Sequence, residues 1–373
     1  MRIVEEKAKV DKCKVCGKKK EHLSRELEVC VDCIRDRWDK AEKYVEEAQR
    51  RVREEFKLPV KPPRDKDGIQ CTICVNECKI GEGKTGYCGI RKNVKGKFVD
   101  WGGAALDFYY DSLPTNCVAD WVCPAGTGCG YPKFSYSEGP EYGYKNLAVF
   151  YGACSFNCLF CQNWHYREHL VKPNIVTAEE LAGAVDSKTS CICFFGGDPT
   201  PQIEHAIKTA EIALERNKDR IIRICFETNG SMNPNIVRRI AEISLRSGGC
   251  IKFDLKAWNE NLHKALTGVT NKRTLENFAM LAKEFNPKRK IPPFLVASSL
   301  LIPGYIDRKE ISNIAKFIAS LDPDIPYSLL AFCPQFYMYD LPTTSKKDAF
   351  ELRDVAMKAG VKNVRIGNIH LLR

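Results

Sequence analysis

The sequence predicts an α/β protein built on a partial (β/α)6 TIM-like barrel. An N-terminal zinc-knuckle module and a cysteine-rich metal-binding extension precede the barrel. Three observations carry this prediction. Short apolar runs alternate with amphipathic segments from residue 147 to residue 373, the pattern of parallel strands covered by helices. Polar and glycine-rich tetrapeptides fall at the carboxyl ends of those runs, where such barrels place their sites. The 19 cysteines, an odd number, gather in CxxC and CxxxC groups, which reads as metal ligation rather than a disulfide framework.

Composition narrows the class. The chain is 44% hydrophobic over 373 residues, enough for a large α/β domain with a smaller appendage. No apolar run approaches the roughly 20 residues that cross a bilayer, and the N-terminus "MRIVEEKAKVDKCKVC" lacks a signal-peptide core. A cytoplasmic protein with no membrane partner is the expectation. The formal net charge of +11 falls once metal-bound cysteines are thiolates. The mildly basic remainder permits an RNA or an acidic protein as partner.

Residues 1–66 form the first expected unit. Cys13 and Cys16 make one CxxC, and Cys30 and Cys33 make a second. Two such knuckles fold back to offer four sulfurs in a tetrahedron, the geometry of structural zinc. The intervening "KKKEHLSRELEV" has too few apolar residues to fold without a metal. From Ile34 to Phe56, Trp38, Ala41, Tyr44, Val45, Ala48 and Val52 recur at helical spacing among charges. A charged helix packed on the main body is expected, and a grip on RNA or a protein is the sharper alternative. "KLPVKPPRDKDG" reads as a stiff linker.

Residues 67–146 form a cysteine-rich module. Cys71, Cys74, Cys78 and Cys88 lie within 18 residues, with glycines at 81, 83, 86 and 89 to turn the backbone. Four thiolates suit either zinc or an iron–sulfur cluster. Cys117, Cys123 and Cys129 follow among aromatic residues, Gly and Pro. They predict an additional iron–sulfur cluster completed by a distant ligand, against the alternative of buried apolar thiols.

Residues 147–373 carry the barrel. "NLAVFYG" (146–152) is the first strand. Strands follow at 191–195, 221–227, 250–255, 293–300, 326–332 and 361–367, with helices at 177–186, 202–217, 234–246, 272–285, 309–320 and 347–359. Five segments share the predicted rim: the loop of Cys154, Cys158 and Cys161, then "GGDP" (196–199), "ETNG" (227–230), "DLK" (254–256) and "CPQF" (333–336). Three cysteines at the spacing of 154, 158 and 161 can hold three irons of a cubane and leave the fourth open to bind a small molecule.

The run Cys154, Cys158, Phe160, Cys161 resembles the CxxxCxΦC hallmark of the radical S-adenosylmethionine superfamily. The resemblance implies a 4Fe–4S cluster whose open iron chelates S-adenosylmethionine. It implies one-electron cleavage to methionine and a 5′-deoxyadenosyl radical, which abstracts hydrogen from the substrate. Gly196, Gly197 and Asp198 match the family's "GGE" stretch beside the methionyl amine, with Asp in place of Glu. Over residues 68–370 the chain resembles the pyruvate formate-lyase activating-enzyme branch. Asp254, Leu255 and Lys256 match its "DLK", and "ALTGVTNKRTLENF" (265–278), "IPGY" (302–305) and "RIGNIH" (365–370) echo its relatives. This implies an oxygen-sensitive, anaerobic enzyme with a low-potential electron donor and, by the nearest resemblance, a glycyl-radical partner protein as substrate.

Each rim residue has a plainer reading. Asp254 and Lys256 contact the cofactor or form a strand-end ion pair. Glu227, Thr228 and Asn229 join the site or cap a helix. Cys333 faces the substrate or is a rim thiol. Cys191, Cys193, Cys225 and Cys250 read mostly as strand packing, and His165, His169 and His263 as surface or satisfied histidines. Radical modification of RNA and a non-catalytic iron–sulfur electron carrier are the alternative functions.

Overall fold

The computed structural model describes residues 11–373. Among these, one nine-stranded sheet organises the molecule. Its strands are β1 (Ala104–Ser112), β2 (Lys145–Tyr151), β3 (Ile175–Val176), β4 (Thr189–Gly196), β5 (Arg223–Thr228), β6 (Ile251–Asp254), β7 (Leu295–Leu301), β8 (Tyr327–Ala331) and β9 (Val364–Gly367). The spatial order is β9-β8-β7-β6-β5-β4-β2-β1-β3. Every pair from β2 to β9 is parallel, whereas β1 runs antiparallel to both β2 and β3. The sheet is therefore an open, barrel-like layer of seven parallel strands with an antiparallel margin.

Strand β1 was not expected from the pattern of the sequence. Its outer residues are exposed, so the period-2 signature is weak, and tertiary pairing over seven registered positions, from Leu106↔Tyr151 to Ser112↔Lys145, stabilises it instead. The sheet thus begins upstream of residue 147.

The connecting helices are locally encoded. A capping box between Thr177 and Glu180 opens Ala178–Gly183. Asn233 caps Pro234–Ser247, which Gly248 ends at φ 81°. Asn259, Asp307 and Ser345 cap Glu260–Thr267, Arg308–Leu321 and Lys346–Lys358. The helix Glu260–Thr267 lies between two expected elements and was not anticipated. The helices bury one face against the sheet, where Ile192, Phe194, Ile224, Phe226, Phe253 and Phe278 are fully enclosed.

At the N-terminus, α1 (Val31–Asp36) and α2 (Trp38–Glu55) replace one expected helix, with a break at Arg37. The inward face of α2 includes Ala41, Val45, Ala48 and Val52, but also the polar Gln49 and Arg53. The Arg53 guanidinium stacks on Tyr87 at 3.7 Å. The segment "IPGY" receives the knuckle: Tyr305 Oη accepts from Ser24 N at 3.0 Å and donates to Val29 O at 3.2 Å. No helix among the described residues is long and apolar enough to cross a membrane.

Candidate functional site

The loop after β2 carries Cys154, Cys158 and Cys161, and long-range backbone bonds hold it. Asn157 N donates to Thr267 O at 2.7 Å, Leu159 N to Leu266 O at 3.0 Å, and Tyr337 N to Leu159 O at 2.9 Å. The Leu266–Thr267 strap belongs to the "ALTGVT" motif. On the other side, Gly197 N donates to Tyr151 O and Asp198 N to Ala153 O. A side chain at Gly196 would meet Tyr151 N at 2.3 Å, and one at Gly197 would meet Ala153 O at 2.3 Å. These glycines let the second rim loop press against the first.

One cleft at the carboxyl ends of the parallel strands is lined by the three cysteines, Phe160, Gly196, Gly197, Asp198, Glu227, Thr228, Asn229, Asp254 and Lys256. The structure thus gathers nearly every rim residue read from the sequence. Cys333 is half-buried and does not line this cleft.

The Asp198 carboxylate faces inward as a clasp. It accepts from Thr200 N at 2.9 Å, Asn229 N at 2.7 Å and Thr228 Oγ1 at 3.2 Å. Burial raises its pKa, and these donors pull the other way. Asp198 therefore ties the β4 and β5 loops together. Asn229 Nδ2 donates to Ser155 Oγ at 2.8 Å, so Asn229 reaches the cysteine loop directly.

Two cations, Lys256 and Arg167, act on the cysteine loop. Lys256 Nζ lies 2.9 Å from Asp254 Oδ2 and 5.6 Å from the Phe160 ring centre. Burial opposes its charge, but Asp254 and Cys158 hold it above the ordinary lysine range. The Cys158 thiol is pushed up to about 12, first by burial, with Lys256 pulling it down. Arg167 was not singled out from the sequence. It is buried, donates to Asn157 Oδ1 at 3.0 Å, and leaves Nε and Nη1 without a hydrogen-bond partner. Asn157 in turn donates to Gln49 Oε1 of α2 at 2.8 Å. An unsatisfied buried guanidinium beside three thiols suits an anionic metal–sulfur group, so the residues present fit a cluster.

The other cysteine groups differ in spacing. The Sγ atoms of Cys13, Cys16, Cys30 and Cys33 all lie within 4.8 Å of one another, and no other such group occurs among the described residues. A tetrahedral zinc with Zn–S near 2.3 Å places its sulfurs about 3.8 Å apart, so this knuckle suits a single ion. Cys71, Cys74, Cys78 and Cys88 lie close enough to raise the Cys74 thiol together, after burial, without that convergence. Their segment abuts the cleft: Val75 N donates to Ser231 O, and Asn76 Nδ2 to Ser155 O at 2.7 Å.

The expected trio of Cys117, Cys123 and Cys129 is divided. Cys117 and Cys123 line an interior chamber with Cys191, Cys193, Cys225 and Cys250. Cys129 lies outside its lining, with Sγ 3.1 Å from Val122 O. Of the histidines, His165 stacks on Trp164, His169 lies 3.3 Å from Asp107, and buried His263 meets Val269 O at 2.6 Å.

Residues 148–318 match the model of the Radical SAM superfamily. The chain is 25% identical over 313 residues to an uncharacterized protein of Methanocaldococcus jannaschii, covering 82% of this chain and 83% of the relative. It is 34% identical to the isethionate sulfite-lyase activating enzyme of Desulfovibrio desulfuricans, over 37% of this chain and 40% of that one. It is 32% identical to the pyruvate formate-lyase 1-activating enzyme of Escherichia coli, over 43% of this chain and 62% of that enzyme. The match thus spans less than two thirds of either activating enzyme.

Proposed function

Because the chain belongs to the radical SAM superfamily and resembles its activating-enzyme branch, we propose that it cleaves S-adenosylmethionine and activates a glycyl-radical-type partner protein. The observation that carries this reading is the three-thiol loop enclosed at the strand ends beside Arg167 and Lys256. Cys154, Cys158 and Cys161 would hold the 4Fe–4S cluster. When bound, cluster and cofactor supply one-electron cleavage to methionine and a 5′-deoxyadenosyl radical.

The chain's own residues bind and orient. Asp254 keeps Lys256 charged at the cleft wall, offering a cation to a carboxylate. The Asp198 clasp fixes Gly196 and Gly197 against the cysteine loop. Phe160 and Leu330 close the cleft with apolar surface and exclude water. Glu227, Thr228 and Asn229 line the same cleft from the end of β5.

We assign zinc to Cys13, Cys16, Cys30 and Cys33. Cys71, Cys74, Cys78 and Cys88 suit a polynuclear cluster placed against Ser155 and Ser231, a position from which a low-potential donor's electron reaches the cleft. Helix α2 turns Gln49 and Arg53 onto the protein's own loops, which lends no support to RNA modification.

The test is anaerobic reconstitution followed by a 5′-deoxyadenosine assay with S-adenosylmethionine and a strong reductant. Product is expected from the wild type and not from a Cys154→Ala/Cys158→Ala/Cys161→Ala variant. A wild-type cluster that reduces but yields no product overturns the reading. Incubation with a glycyl-radical protein, followed by electron paramagnetic resonance, tests the partner.

A further inference from the structure

Side chains at alternate positions of a strand face the same way. On β4 these are Cys191, Cys193 and Phe195; on β5, Arg223, Cys225 and Glu227; at β6, Cys250 and Lys252. All eight line one chamber of about 150 Å³. The registers Cys193↔Cys225 and Glu227↔Lys252 set them side by side. Barrel interiors are ordinarily filled by layers of Val, Ile and Leu. Here seven of the eight are thiols or charged groups, Phe195 being the exception, and the loop after β1 adds Cys117 and Cys123.

We infer that this chamber holds an iron–sulfur cluster bound by the thiolates of Cys117, Cys193, Cys225 and Cys250. The Sγ atoms of Cys225 and Cys250 are 4.0 Å apart. Those of Cys117 and Cys193 each lie 3.1 Å from Lys252 Nζ. Cys191 points to Asn146 Oδ1 at 3.3 Å and Cys123 to Asp120 O at 3.9 Å, whereas Cys117, although 3.7 Å from Glu227 Oε1, shares Lys252 Nζ with Cys193. No three of the six converge within 4.8 Å, so the set is too wide for one tetrahedral ion.

A buried cation sits among these thiols. The Lys252 ammonium is buried, with Glu227 as its carboxylate partner at 2.9 Å. Arg289 is buried, donates to the carbonyl of Gly249 beside Cys250, and leaves Nε and Nη1 unpartnered. Arg223 is neutralised by Glu141 at 2.6 Å. Asp111, Asp120 and Glu227 are the carboxylates of the lining, and Arg289 lies outside it. The feature that favours a metal–sulfur group is therefore Lys252 Nζ at 3.1 Å from each of two thiols, where an ammonium stabilises thiolate ligands and tunes a cluster's potential. A purely apolar packing layer has no use for that ammonium. Phe195 and Glu227 also line the radical cleft, so the two centres share a wall.

The inference stands apart from radical cleavage, because its readout is metal content. Iron and acid-labile sulfide are measured after anaerobic reconstitution of the wild type, Cys225→Ser/Cys250→Ser and Cys129→Ser. The double variant is expected to lose one cluster's worth of both, while Cys129→Ser, outside the chamber, retains the wild-type count. Equal counts in all three overturn the inference. Anomalous diffraction at the iron edge on reconstituted wild-type crystals needs no variant to fold. Iron density among these four sulfurs is expected there, and a Cys225–Cys250 disulfide, another metal or no iron in the chamber overturns it.

Discussion

The knuckle of Cys13, Cys16, Cys30 and Cys33 and the loop of Cys154, Cys158 and Cys161 use the same side chain to opposite ends. In the knuckle, nearby segments do the work. Cys13 N donates to Lys18 O, Gly17 N returns to Cys13 O at 2.8 Å, and Gly17 adopts φ 69°. Four sulfurs converge. Burial opposes ionisation of Cys13, but the backbone donors of Cys16, Cys30 and Val15 bring it down to about 6. In the rim loop the sulfurs stay apart, burial raises the Cys154 and Cys158 thiols, and the supports come from residues 196–198, 266–267 and 337. The knuckle is a locally built group of four thiols able to chelate a metal. The rim loop is a rigid seat that the whole sheet supplies, so its chemistry and its stability are separable.

Four measurements break or sharpen that contrast. The largest effect belongs to Cys158→Ala: 5′-deoxyadenosine should fall to background while the far-ultraviolet circular dichroism stays unchanged, because the seat does not depend on its ligand. A parallel loss of structure would erase the distinction. Cys30→Ala should do the reverse. Structural zinc contributes on the order of 10 kcal/mol of apparent binding energy to a small knuckle, so zinc content should drop and trypsin should cut within 11–33, with the sheet intact by hydrogen exchange.

Arg167→Gln probes the charge behind the seat. Cluster affinity or turnover should fall about 10–100-fold, as for other residues that orient a ligand shell. The midpoint potential should move to more negative values in voltammetry, a shift that a merely structural role would not produce. The smallest effect is Gln49→Ala, which cuts the link between the two regions. It removes bonds to Asn157 Nδ2 and Ala265 O, at a cost of about 1–3 kcal/mol, read as a lower urea midpoint at unchanged metal content.

Much of this site was legible in the chain. The CxxxCxΦC spacing, the "GGDP", "ETNG" and "DLK" turns and the alternation of strands and helices placed the cleft and most of its lining. Arg167 and Gln49 were not legible, because a lone Arg after "NWHY" and a Gln on a charged helix carry no local pattern. Asp198 reads as a cofactor residue by motif, and the structure adds that its carboxylate clasps two loops. The thiols at 191, 193, 225 and 250 read as strand packing one strand at a time. Their burial agrees with packing, and cysteines at alternate positions of successive strands with a lysine among them are the pattern behind the proposed chamber.

By itself the sequence determined what depends on neighbours along the chain: helix caps, strand periodicity, the knuckle's paired CxxC and the ligand spacing of the rim loop. These rest on backbone dihedrals and contacts within a few residues. Only the tertiary structure decided which residues meet across strands. Inter-strand register brought Cys193 to Cys225 and Lys252 to Glu227, and helix docking brought Gln49 to Asn157. Such meetings arise from packing of the whole sheet, and no local segment encodes them.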